Sequence, residues 1–290
     1  MTRPYRDHVY TSEDGLALYA RLYEGDPDAT PLLCMHGLSR NSADFHAMLE
    51  RLPGRPAISV DQRGRGNSAY DPQPANYRPD IYCRDMLHLL DGLGHERVVA
   101  VGTSMGGLMT LMMASLRPRL FGAAVINDIG PEIDPAGLAR LGGYVGGQMR
   151  FANWAEAVAA VRAQNPDDGP DIFAGFTDAD WLDFTRNLCG PTPDGGVAFR
   201  YDPAIADGLG GDEPSAAPPD LWPVFEASAG FPMLVIRGET SDILSDATAR
   251  AMVERRPQTG LVTVPRRGHA PTLTEPVAID AIRTFLETAA

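Results

Sequence analysis

Short, almost wholly apolar runs alternate with helix-like stretches along this chain, and that alternation constrains its fold more than any other feature. The runs are Pro31 to Met35, Ala57 to Val60, Arg97 to Val101, Ala123 to Ile126, Met233 to Ile236 and Leu261 to Val264. Strands that are apolar at nearly every position, rather than at every second one, suit a parallel sheet buried on both faces. Between them lie helical patterns at Ser42 to Arg51, Pro79 to Leu93, Met105 to Arg117, Ala247 to Arg256 and Pro276 to Thr288, several opening on Pro or a capping residue. Alternating β and α elements predict a doubly wound α/β sheet. Ahead of it, His8 to Thr11 and Leu16 to Tyr23 flank Glu13-Asp14-Gly15, which reads as an antiparallel hairpin.

The alternation breaks between Pro131 and about Ala229. That stretch holds helical pieces (Pro135 to Leu141, Trp154 to Gln164, Asp178 to Asn187) separated by Gly-, Pro- and Asp-rich loops, with Gly208 to Pro219 the most loop-like. It is expected to form a helical insertion, residues 131–229, over an α/β core made of residues 1–130 and 230–290. A chain of 290 residues suits one such domain with an insertion. Its glycine cluster, Gly142, Gly143, Gly146 and Gly147, reads as a hinge rather than a phosphate cradle.

Charge and cysteine usage narrow the partners. A net charge of −13, from 25 Lys+Arg against 38 Asp+Glu, argues against nucleic acid or an anionic membrane, because phosphate recognition needs concentrated positive charge. Cys34, Cys83 and Cys189 form no C-x-x-C, so neither a disulfide framework nor a zinc ribbon is written here, and a reducing cytoplasm is expected. The polar residues Met1 to His8 lack the apolar stretch of a secretory signal, and no uncharged run is long enough to span a bilayer. A monomer or homodimer acting on a small molecule fits these features.

Gly102-Thr103-Ser104-Met105-Gly106 fits G-x-S-x-G where an apolar strand gives way to a helix. A sharp turn there strains the serine backbone and projects the hydroxyl over the sheet edge, with the positive end of the helix dipole beneath it. A serine hydroxyl is a weak nucleophile at neutral pH and needs a base, itself oriented by an acid. His269 lies in a loop between the last strand and the final helix, where it can swing over the sheet edge. For the acid, Asp242 follows the strand Met233 to Ile236 and precedes His269 in the order serine, acid, histidine. Asp128, at the end of the preceding strand, is the alternative acid, and Glu239 shares the Asp242 loop. Acyl transfer also needs oxyanion donors: the N–H of Met105 is the natural first, and that of Leu38, in the loop after Leu32 to Met35, is the expected second. His36 would brace that loop.

Taken together, His36-Gly37, the segment Asp61 to Ser68, Gly102 to Gly107, Asp242 and Gly268-His269 resemble an α/β-hydrolase fold enzyme of the capped, serine esterase or lactonase kind. The likeness spans nearly the whole chain outside the insertion. It implies a mostly parallel eight-stranded sheet flanked by helices, a cap inserted after the sixth strand, and hydrolysis without metal or organic cofactor. Gly238 to Asp242 is one residue longer than the G-x-x-D spacing that family members often show. Serine at the elbow separates the chain from the dehalogenases and epoxide hydrolases of the same fold, which use aspartate. Gly64-Arg65-Gly66-Asn67-Ser68-Ala69 imitates a dinucleotide fingerprint, but the prolines at 72 and 74 forbid the helix whose N-terminus would hold a pyrophosphate.

The expected activity is therefore cleavage of carboxylic esters of small to medium apolar substrates through an acyl-serine. The alternatives are lactone hydrolysis, carbon–carbon bond hydrolysis with the same triad, and a ligand sensor that keeps the fold. The carbon–carbon reading needs positive charge for a substrate carboxylate, for which the insertion offers Arg140, Arg150, Arg162, Arg186 and Arg200. Tyr144, Met149, Phe151, Trp154, Phe173, Phe176, Trp181, Phe184 and Trp222 are candidate pocket lining, with packing of the insertion's own core as the competing role for each.

Overall fold

A computed structural model describes residues 3–143, 145–147, 149–164, 173, 175–208 and 220–289. Tyr144 and the part of the predicted loop at 209–219 lie outside the described residues. The chain opens on the expected hairpin, β1 (Arg6–Thr11) and β2 (Ala17–Tyr23), turning through Gly15 at φ +91°. It continues through β3 (Leu32–Met35), α1 (His46–Arg51), β4 (Ala57–Asp61), α2 (Pro79–Leu93), β5 (Val98–Thr103), α3 (Met105–Leu116) and β6 (Phe121–Asn127).

After an excursion the chain re-enters the sheet with β10 (Met233–Gly238), α8 (Asp246–Arg255), β11 (Thr259–Val264) and α9 (Pro276–Ala289). The sheet has eight strands in the order β1-β2-β4-β3-β5-β6-β10-β11, with β2 antiparallel to both its neighbours and the rest parallel.

Period-two alternation explains the continuous apolar runs. Leu33, Met35, Ala100, Ala124 and Ile126 point into the layer of α2, α3 and α8. Leu32, Cys34, Val99, Val101, Ala123 and Val125 point to the opposite layer, that of α1 and α9. Each face therefore needs its own apolar residue at every step, and burying one such side chain contributes roughly 1.5–3 kcal/mol. The chain leaves β3 toward β4 on one side and returns to β5 on the other, so the loops after β3 and β5 part company at their carboxyl ends. A crevice opens at such a switch point, and the loops beside it carry Leu38 and Ser104.

The excursion contains α4 (Pro135–Gly142), β7 (Arg150–Phe151), α5 (Trp154–Ala163), α6 (Asp178–Leu188), β8 (Cys189–Pro191), β9 (Val197–Phe199) and α7 (Trp222–Ala227). Side chains of Asp134, Asn153 and Thr177 cap α4, α5 and α6, the last in a reciprocal capping box with Asp180. The purely helical expectation needs correcting, because β7, β9 and β8 form a three-stranded antiparallel sheet. Its hairpin turns at Asp194-Gly195, with Gly195 at φ +86° and the Thr192 N–H donating to Gly196 at 2.9 Å. Strands of two or three residues are too short for periodicity to reveal.

Candidate active site

Ser104 sits between β5 and α3 with φ +51° and ψ −117°, a conformation L-residues rarely adopt. The two glycines of the motif make that turn possible. A Cβ at Gly102 would lie 2.4 Å from the Gly106 carbonyl oxygen, and one at Gly106 would lie 2.0 Å from that of Met35. The elbow is pinned to the sheet by the Ser104 N–H, which donates to the Asn127 carbonyl at 2.9 Å.

His269 reaches over the sheet edge as its position in the sequence suggests. Its Nε2 lies 2.8 Å from Ser104 Oγ, and its Nδ1 lies 2.9 Å from Asp128 Oδ2. An ionised carboxylate can only accept, so Nδ1 carries the hydrogen and Nε2 is left to accept the Ser104 proton. The asparagine that ends β6 braces this loop: Asn127 Nδ2 donates to the Pro271 carbonyl at 2.9 Å and to Thr103 Oγ1 at 3.1 Å.

The structure brings Asp128, not Asp242, to the histidine, which reverses the order of preference read from the sequence. Asp128 is fully buried and has φ +57°, a turn that aims its carboxylate at the loop after β10. Oδ1 accepts the Gly238 N–H at 2.8 Å, while Oδ2 accepts Ser241 Oγ at 2.6 Å besides His269. Ser241 Oγ in turn accepts the N–H groups of Ile243 and Leu244 at 3.2 and 3.1 Å. Nothing in the residue pattern marked Ser241 for this place.

Asp242, one residue further along, turns away to α4. Its carboxylate forms a two-pronged pair with Arg140, at 2.5 and 2.9 Å. Burial pushes the Asp242 carboxyl up, but the Arg140 hydrogen bonds and charge outweigh it and hold the group below its usual range. The helix also packs on this loop, since a Cβ at Gly137 would meet the Asp242 carbonyl oxygen at 2.1 Å. Glu239 stays at the surface and accepts the Arg266 N–H at 2.7 Å.

The loop after β3 approaches Ser104 closely: a Cβ at Gly37 would stand 3.5 Å from Ser104 Cβ. Fully buried His36 holds that loop, its Nε2 accepting the Gln62 N–H at 3.1 Å and its Nδ1–H donating to Gly37 O at 2.7 Å. Burial, with the nearby Arg65 and Arg40 charges, pushes His36 down to about 3, so it stays neutral and structural. Arg65 completes the support by donating from Nε to the Leu38 carbonyl at 2.8 Å. The Asp61 to Ser68 segment is a turn around the Asp61 carboxylate, which accepts the N–H groups of Ser42 and Asn67 at 2.6 and 2.7 Å. A short 3-10 turn, Pro74–Asn76, follows it.

Leu38, Ser104 and Leu141 line two adjoining cavities. The first, about 580 Å³, runs under α4 past Met105, Leu108, Ile129, Ile133, Leu138 and Ile243. The second, about 360 Å³, contains His269 and is walled by Phe173, Phe176, Phe184 and the Arg40–Asp44 pair. Trp181 packs edge-on against those three rings, whereas Met149, Phe151, Trp154 and Trp222 line neither cavity. Among the described residues no group of three or more His, Cys, Asp or Glu side chains is placed to hold a metal ion. None of the described helices is long and apolar enough to cross a membrane.

Comparison with known proteins agrees with this architecture. The chain is 34% identical over 264 residues to the 3-hydroxybutyrate-oligomer hydrolase of Cupriavidus necator, covering 88% of each chain. It is 28% identical to the 2-(acetamidomethylene)succinate hydrolase of Mesorhizobium japonicum, over 88% of this chain and 87% of that one. The crystal structure of an alpha/beta hydrolase from Novosphingobium aromaticivorans superposes with a TM-score of 0.91 at 43% identity, covering 99% of both chains. The model of the alpha/beta hydrolase family matches residues 32–282, and with it the switch-point crevice, the strained serine and the histidine loop place this chain in that family.

Proposed function

We propose that the protein is a serine-dependent carboxylic ester hydrolase in which Ser104 is the nucleophile, His269 the base and Asp128 the acid. The observation that carries this reading is the hydrogen-bonded sequence Ser104–His269–Asp128 at the mouth of an apolar cavity. Ser104 Oγ attacks the ester carbonyl carbon as His269 Nε2 takes its proton, and the carbonyl oxygen becomes an oxyanion. We assign that oxygen to the N–H groups of Leu38 and Met105, both of which line the cavity beside Ser104; the latter opens α3, where an N–H has no partner within the helix. Each such donor is worth about 3–4 kcal/mol in the transition state. The tetrahedral intermediate collapses, the alkoxide leaves with the proton from His269, and an acyl-serine remains. Water, deprotonated by His269, repeats the addition and releases the acid and free Ser104. Asp128 holds the tautomer and stabilises the imidazolium throughout. The segment between β6 and β10 acts as a cap over the reaction.

Electrostatics support ester over carbon–carbon cleavage. The excursion's arginines are engaged elsewhere: Arg140 with Asp242, Arg150 with Asp194, Arg162 with Asp178 and Arg186 with Asp183, while Arg200 donates to Asn67. None of them lines either cavity at Ser104, and the two guanidinium groups that do, Arg78 and Arg40, are paired with Asp80 and Asp44. The relatives' names guide the choice of substrates, since oligomers of 3-hydroxybutyrate are joined by ester bonds. The test is hydrolysis of a p-nitrophenyl ester series from acetate to decanoate together with short 3-hydroxybutyrate oligomers. Saturable turnover with a medium-chain optimum is expected; no turnover on any member refutes the reading.

Ser241 provides a further check on the acid. Removing its hydroxyl deletes one of the three donors on the Asp128 carboxylate, and hydrogen bonds to charged groups contribute about 1.5–3 kcal/mol. Ser241→Ala is expected to lower kcat at least about tenfold with little change in KM, and Ser241→Thr to restore most of it. An unchanged kcat in the alanine variant would remove Ser241 from the machinery.

A further inference from the structure

The turn after β4 buries two arginines whose surroundings differ. Arg63 is held by Asp14, Asp71 and Asp85 at 2.8, 2.6 and 2.7 Å, so its charge is neutralised where it lies. Arg65 is fully buried and pairs with no carboxylate: Nε donates to the Leu38 carbonyl at 2.8 Å, and Nη1 donates to the Arg63 carbonyl and the Tyr82 hydroxyl at 2.9 and 2.8 Å. Its Nη2 is buried and bonded to none of the described residues. Asp202 acts on the guanidinium only through space, since its carboxylate accepts the Tyr77 hydroxyl at 2.5 Å. A buried charge without a counter-charge is costly to fold, and such costs persist where function uses them. We infer that Arg65 is a positioning residue for acyl transfer, which fixes the oxyanion loop through the Leu38 carbonyl and supplies the buried positive charge that the oxyanion answers. This rests on the ester-hydrolase reading and on the Leu38 N–H as an oxyanion donor.

Two peptide planes meet at Leu38, and each has its carbonyl held from the core. The plane ahead of it carries the Leu38 N–H, and His36 fixes that plane by donating to the Gly37 carbonyl at 2.7 Å. Arg65 fixes the plane that follows, so neither turns without breaking a buried hydrogen bond. The far end of this strut is equally anchored, because residues 64–66 bridge to the excursion: the Gly66 N–H donates to the Arg200 carbonyl at 2.7 Å, and the Asp202 N–H to that of Gly64 at 2.8 Å. The rings of Tyr82 and Tyr77 stand 4.7 and 5.7 Å from the guanidinium and also line the first cavity. An ester is neutral in the ground state, whereas the tetrahedral intermediate is anionic. A fixed positive charge in a medium of low dielectric therefore favours the intermediate, and its effect belongs in kcat.

The experiment compares Arg65→Met, which keeps the apolar stem but neither charge nor donors, with Arg65→Lys, which keeps the charge but lacks the fork. On p-nitrophenyl hexanoate, with active enzyme counted by fluorophosphonate titration, Arg65→Met is expected to lower kcat about thirty- to a hundredfold with KM within about threefold, and Arg65→Lys to lower kcat about tenfold. A pair of inhibitors separates positioning from general damage. Hexyl trifluoromethyl ketone adds Ser104 Oγ to its carbonyl carbon and becomes an oxyanion, so both variants should bind it at least about tenfold more weakly. Hexyl methyl ketone stays neutral and should bind as it does to wild type. Asp85→Asn, which takes one carboxylate from Arg63, should lower the melting temperature and leave kcat per active enzyme and both ketone affinities unchanged. Should Arg65→Met not accumulate as folded protein, Arg65→Lys decides by the same ketone comparison. A kcat in Arg65→Met within about threefold of wild type, an equal loss of affinity for both ketones, or the same kinetic pattern in Asp85→Asn overturns the assignment. Failure of the underlying reading looks different: wild type would turn over no ester and bind the two ketones alike, and the role of Arg65 would fall with it.

Discussion

Ser104→Ala is expected to lower kcat on p-nitrophenyl hexanoate by four to six orders of magnitude while leaving KM within a few-fold. The reasoning starts from the geometry of one hydrogen bond, the 2.8 Å contact between Ser104 Oγ and His269 Nε2. Without the hydroxyl there is no covalent route, and His269 is left to activate water against a carbonyl that only the oxyanion donors still polarise. Loss of a triad nucleophile of this kind costs up to about a millionfold, and the remnant reflects binding and the oxyanion hole. The binding surface survives because the cavity walls are untouched. Stability should change little, since alanine meets the same positive φ that serine already tolerates at this elbow. The measurement pairs steady-state kinetics with thermal melting, and adds labelling by a fluorophosphonate with mass mapping of the modified residue. Wild-type label on Ser104, abolished in the variant at an unchanged melting temperature, is the expected result. A variant that retains even a hundredth of wild-type kcat would mean that another group attacks the ester.

Much of this site is legible in the sequence because the relevant signals are local. G-x-S-x-G after an apolar strand encodes its own geometry: the collisions that a Cβ would meet at Gly102 and Gly106 are with atoms of the same turn and the neighbouring strand. The main sheet is legible for a similar reason, since burial on both faces forces apolar residues into consecutive positions. His269 follows from its place after the last strand. The acid does not, because Asp128 and Asp242 both follow strands and both give the order serine, acid, histidine. Three non-local facts decide between them. The positive φ of Asp128 turns its carboxylate inward, the Gly238 N–H and Ser241 hydroxyl from another strand's loop receive it, and Arg140 on the excursion draws Asp242 outward. Ser241, one residue before Asp242, occupies the inward position of that loop. The short strands β7, β8 and β9 escaped for a different reason: only the Asp194-Gly195 turn announces them.

Substituting the two aspartates one at a time gives the sharpest separation of the competing assignments. Asp128→Asn is expected to reduce kcat by about four orders of magnitude. Both Asp128 oxygens accept: Oδ1 from the Gly238 N–H, Oδ2 from Ser241 and His269. An asparagine has one accepting oxygen and one donating amide. If the amide faces His269, it donates to Nδ1, the hydrogen moves to Nε2, and the imidazole can no longer accept the Ser104 proton. If the amide instead faces Gly238, two donors confront each other in a fully buried site, at a cost of roughly 1–3 kcal/mol in stability. The first arrangement disables the base, and the second strains the loop that positions it. Asp242→Asn has neither consequence. It weakens the pair with Arg140, a partly exposed contact whose loss loosens α4 by about 1 kcal/mol, and should change kcat no more than a few-fold. Because α4 roofs the first cavity through Leu138 and Leu141, any effect of Asp242→Asn belongs in KM for long-chain esters rather than in the chemical step. Kinetics of both variants on hexanoate and decanoate esters, with melting curves for each, test this directly. A thousandfold loss in Asp242→Asn beside a mild effect in Asp128→Asn would return the acid to the loop after β10 and require the histidine loop to rearrange during catalysis.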